Sequence, residues 1–220
     1  MDLQDTGGIT PFHTFDPMQC SSAAELANIL NDFRIEGGDR LNEYSNAYPD
    51  FTDRLDAQGI SLSNGRVGIE WDDATILFIA LRAIQKDGSP AEPLDRGISM
   101  ERLGRFPSED GNAIGYLREN LIPENEGDLG CQLLTQLDGG FRSETRGHDH
   151  LSIGFGGMKL HGWLTFEEVV SLRTYLQKSV WKVNQNEPFD GGVRDVVRHF
   201  LIILKIAEKR NYGILMRSHY

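Results

Sequence analysis

Apolar residues recur with a helical period soon after the N-terminus. Leu26, Ile29, Leu30 and Phe33 fall at i, i+3, i+4 and i+7, which is one face of a helix. Ser22-Ala-Ala-Glu25 precedes them with capping-box spacing, so the serine oxygen and the glutamate carboxylate each satisfy a free amide at the helix start. Gly37-Gly38 ends the run. The stretch from Asp39 to Ala47, with Leu41 and Tyr44, predicts a second helix. A third, with Phe51 and Leu55, is predicted before Gly59. The first twenty residues, holding Gly7-Gly8, Pro11 and Pro17, read as irregular.

The period then changes to two. In ISLSNGRVGIEW, Asn64-Gly65 supplies the positive backbone angles of a type I′ turn. That turn pairs Leu62 with Val67 and Ile60 with Ile69, leaving one apolar side. Asp72 or Asp73 can cap a helix over residues 74–85, whose all-round apolarity marks a buried element. A strand over residues 75–81 fits the same short run. Ser89 to Gly97, with Pro90 and Pro93, has the composition of a linker, so the single domain of residues 1–220 admits a two-lobe division near 88–97. Helices are predicted over residues 99–103, 112–121 and 128–137.

A second hairpin, GHDHLSIGFGGMKLHG, turns at Gly156-Gly157. Thr165-Phe-Glu-Glu168 is another capping box, opening a helix with Val169, Leu172 and Leu176 on one face. A long helix from Gly192 to Arg210 carries Val193, Val196, Val197, Phe200, Leu204 and Ala207 as a core stripe, and Ile214-Leu-Met216 reads as a closing strand. The pattern is α+β: antiparallel hairpins packed against several helices, with a long C-terminal helix followed by a final strand.

Three of the chain's six histidines lie in the second hairpin. A two-residue turn pairs Phe155 with Met158, Ile153 with Leu160 and Leu151 with Gly162, forming an apolar face. His148, His150 and His161 then share the opposite side with Ser152, Lys159 and Trp163. Two histidines at i, i+2 and a third from the neighbouring strand can surround zinc and leave a position for water, which suits hydrolysis or hydration. A solvated polar face accounts for the same residues without an ion. Arg146 and Lys159 beside them disfavour a dication, and Asp149 points to the other side.

Composition narrows the alternatives. No apolar run reaches the roughly 18 to 20 residues of a membrane span. The acidic N-terminus, Met-Asp-Leu-Gln-Asp, is unlike a secretory signal. Cys20 and Cys131 have no C-x-x-C spacing and read as reduced thiols of a cytoplasmic protein. Nucleotide-binding, zinc-protease and nucleophile-elbow motifs are missing.

The net charge of −11 is uneven. Residues 1–60 hold 11 acids and 3 bases, residues 61–140 hold 14 and 7, and residues 141–220 hold 8 and 12. The acidic two thirds repel nucleic acid and attract a basic protein. Candidate contact residues for such a partner are Asp50, Asp53, Asp56, Glu70, Asp72 and Asp73.

HGWLTFEEVVSLRTYL, a polar gap and then GGVRDVVRHFLIILKIAEKRNYGILMRSHY resembles the ending of small bacterial immunity-type proteins. The likeness is confined to the C-terminal part, does not extend to residues 1–140, and carries over no binding residue. It implies a non-enzymatic protein that occludes a basic toxin with an acidic surface.

Overall fold

A computed structural model of the chain describes residues 10–19, 23–36, 40–61, 72–108, 111–125, 127–139, 141, 151–178 and 181–219. Its centre is an antiparallel sheet of β1 (Phe12–Met18), β5 (Gly213–His219) and β3 (Met158–Leu164), with β5 in the middle. Alternation along β5 shows that both faces are covered. Ile214 and Met216 enter one apolar core, and Leu215 enters the other.

On the Leu215 side lie α1 (Ala23–Glu36), α2 (Arg40–Ala47), α3 (Pro49–Asp56) and α4 (Asp73–Leu81). The Ile214 side is built from α5 (Ile98–Leu103), α6 (Ala113–Asn120), α7 (Leu129–Gly139), α8 (Phe166–Lys178) and α9 (Gly192–Lys209). A short ladder of β2 (Leu121–Ile122) and β4 (Lys182–Val183) completes the α+β arrangement. Among the described residues, no helix is long and apolar enough to cross a membrane.

Local chemistry explains where the helices start. Thr165 N donates to Glu168 Oε2 (2.8 Å) and Glu168 N to Thr165 Oγ1 (3.3 Å), so the expected capping box forms at α8. Asp72 caps α4, accepting from Thr75 N through Oδ1 and from the Thr75 hydroxyl through Oδ2. This helix stops at Leu81, short of residue 85. Arg82 is already extended, and the chain there joins β1: Ala83 N donates to Pro17 O, and Leu94 N to Phe15 O. The proline-bearing segment 88–97 thus carries the chain from one helical layer to the other along the β1 edge.

Three expectations change. Residues 12–18 are strand, although the first twenty residues read as irregular. Buried His13, Thr14 and Asp16 interrupt the apolar alternation, and Pro17 is tolerated on this outer strand. At the second hairpin the turn takes three residues, Phe155–Gly157, so Ile153 faces Lys159 instead of Leu160. A one-residue slip reverses faces, and Ile153 is 70% exposed. Finally, β3 is covered on both sides, with only Lys159 half-buried. Trp163 is 1% exposed, edge-on to Phe141, and His161 is 9% exposed. The first hairpin's residues 62–71, Glu70 included, lie outside the described residues.

One charged cluster is built into the sheet. Asp16, fully buried on β1, pairs with Arg217 of β5 and lies 3.5 Å from Arg82 Nε. Both guanidinium groups stand over the Phe78 ring. Nearby Asp95 is also 0% exposed, and no side-chain donor among the described residues reaches its carboxylate oxygens. Burial, with Asp16 adding repulsion, pushes its pKa up to about 6.

Candidate functional site

The residues of the second hairpin lead to a polar cleft of about 380 Å³. Its floor is one face of α7, where Cys131, Leu134, Thr135 and Asp138 recur at i, i+3, i+4 and i+7. One wall is α6, contributing Asn112, Gly115, Arg118 and Glu119. The other is β3, contributing Lys159 and His161. Gly162 allows β3 to lie this close to α7, because a Cβ there would run into the Gln136 and Leu137 carbonyl oxygens.

Asp138 is the hub. It accepts from Asn112 Nδ2 at 2.5 Å and from Arg118 Nη1, and His161 Nδ1 is 3.7 Å from Oδ1. Burial raises the carboxyl pKa, but His161, Asn112 and Arg118 together outweigh it and hold the group well below the usual carboxylate range. Asn112 is committed twice, because its Oδ1 also caps α6 through Ile114 N and Gly115 N.

His161 is displaced by the bulge between Leu160 and Gly162. Its Nδ1 lies 3.2 Å from the Asp138 carbonyl and its Nε2 lies 2.9 Å from Ser218 Oγ. A carbonyl only accepts, so Nδ1 carries the proton and Nε2 receives the Ser218 hydroxyl. His13 stands beside this ring, with centroids 5.1 Å apart.

The order carboxylate, imidazole and hydroxyl resembles a hydrolytic triad, yet Ser218 is 1% exposed, so no acyl group can reach its oxygen in this arrangement. Cys131, beside Tyr175 Oη at 3.8 Å, has its thiol pKa raised by burial, which disfavours the nucleophilic thiolate. What the cluster does chemically is brace α6, α7 and β3 against one another.

Of the three histidines expected together, His148 and His150 lie outside the described residues. His161 does not face solvent, and zinc on its ring would have to displace the Ser218 hydroxyl or the Asp138 carbonyl. Among the described residues no group of three or more His, Cys, Asp or Glu is placed to hold a metal.

The acidic candidates separate into two kinds. Asp50, Asp53 and Asp56 are exposed on α3, one helical step apart from each other, while Phe51 and Leu55 fix the helix's inner face. Asp72 is the α4 cap and Asp73 lies in its first turn, both half-buried. The sole cation of α3, Arg54, turns inward and donates through Nη1 to the carbonyls of Ala80 (2.5 Å) and Arg82 (2.9 Å).

No family model, no curated protein and no solved structure matches this chain.

Proposed function

We propose that the chain is a non-enzymatic bacterial interaction protein of the immunity type, which engages a basic protein such as a toxin through the acidic face of α3. The observation that carries this reading is the inward turn of Arg54. With the helix's one cation drawn to the carbonyls at the end of α4, Asp50, Asp53 and Asp56 present their charge without compensation from α3 itself. Charges of this kind add little to folding, but they steer a basic partner and select it against others.

Contrast with the cleft supports the same reading. Asp138, Asn112, His161 and Ser218 are bound to one another, which is the arrangement of a brace and not of groups awaiting a reacting atom. The test is capture from the native host's lysate at low salt. The chain is expected to retain one basic protein in stoichiometric amount, and to lose it when Asp50, Asp53 and Asp56 are changed to lysine. No enriched basic protein, or capture that the triple variant leaves intact, would overturn the proposal.

A further inference from the structure

The cleft holds positive donors that its own carboxylates do not match. Lys159 is half-buried in the β3 wall and pairs with no carboxylate among the described residues. Across the floor, Arg118 commits Nη1 to Asp138, yet its side chain stays 27% exposed in the cleft lining, so the guanidinium is not wholly spent on that pair. Asp138 accepts from Asn112 through Oδ1 and from Arg118 through Oδ2.

The position of Lys159 is fixed by the sheet. His13, Ser218 and Lys159 form one row across β1, β5 and β3, which sends all three side chains to the α7 side. The ammonium is therefore held over a concave surface instead of sweeping through solvent. The cleft's size lies at the lower end of small-molecule sites.

We infer that the cleft between α6, α7 and β3 binds a small ligand through an anionic oxygen group, a carboxylate or a phosphate, received by Lys159 from one wall and Arg118 from the other. Both are charge-assisted donors, and a planar or tetrahedral oxyanion supplies the acceptors they lack. The exposed Glu119 at the rim favours ligands with one such group over polyanions. The site is independent of the α3 surface and adds a ligand to the protein–protein role.

The isotope-labelled chain titrated at low ionic strength with inorganic phosphate, and separately with acetate, tests this by nuclear magnetic resonance. Saturable shifts are expected at the His161 ring and at the Gly115 and Thr135 amides. Saturation by phosphate alone assigns a phosphate ligand, and saturation by acetate as well extends the class to carboxylates. Lys159→Gln is expected to raise Kd about tenfold or more, since a charged contact is lost. Lys159→Arg should restore most of the binding, and the exposed Lys205→Ala should leave it unchanged. Shifts that never saturate with either anion in the wild-type chain overturn the inference without recourse to any variant. Saturable binding that Lys159→Gln leaves intact overturns it equally.

Discussion

Replacing Asp95 by asparagine is expected to stabilise the protein at neutral pH. The carboxyl is fully buried, its oxygens lack side-chain donors among the described residues, and Asp16 lies near enough to repel it. Its pKa rises from an ordinary 3.8 to about 6, chiefly because burial disfavours the charged form. A folded-state pKa above the unfolded value means that stability is greatest below the unfolded pKa and is lost as pH rises through the folded one. With roughly 1.4 kcal/mol per pH unit, the ionised group costs about 3 kcal/mol at pH 7.5 and only about 1 kcal/mol near pH 4.5. Asparagine keeps the size and never ionises. Urea unfolding of both proteins across that range should therefore show a gap favouring Asp95→Asn that widens with pH and levels off above about pH 7. A variant no more stable at pH 7.5, or a gap independent of pH, would refute the reasoning and show that the carboxylate finds solvent or a partner in solution.

Asp138→Asn has the opposite sign. The native carboxyl is held below its ordinary pKa, so its stabilisation is present above the unfolded value and lost as pH falls; the variant should be about 2 to 4 kcal/mol less stable at pH 7, with the gap closing below about pH 4. Gly162→Ala drives a methyl group into the α7 carbonyls and should cost about 1 to 3 kcal/mol, read as a lower urea midpoint at unchanged slope. Thr165→Ala removes half of the α8 capping box and should lower stability by about 1 kcal/mol in the same assay.

Much of the fold was legible wherever the signal was local. The capping box at Thr165, the α9 stripe and the closing strand each depend on neighbours within a few residues, and sequence spacing reports those directly. The β1 strand was not legible, because Asp16 looks like a solvent-facing residue until Arg82 and Arg217 are brought to it from far along the chain. Arg82 inside an apolar run and Arg217 inside the closing strand were the available signs that a buried acid awaited them. The hairpin reading failed through one extra turn residue and one bulge, each of which shifts a strand's faces. His161 keeps the side it shares with Lys159, and it is a buried link between Asp138 and Ser218 because α7 covers that side. The acidic face of α3 could be read in outline, from Asp50, Asp53 and Asp56 at helical spacing. The inward turn of Arg54 could not, because its acceptors are backbone carbonyls of a distant helix.

The most direct measurement is the association rate of the captured basic partner, followed by stopped flow from low to high ionic strength for the wild-type chain and for the variant with lysine at 50, 53 and 56. Steering by the α3 carboxylates requires a wild-type rate that falls steeply with salt and a variant that is slower at low salt and nearly flat. Equal rates with equal salt dependence in the two proteins would contradict it.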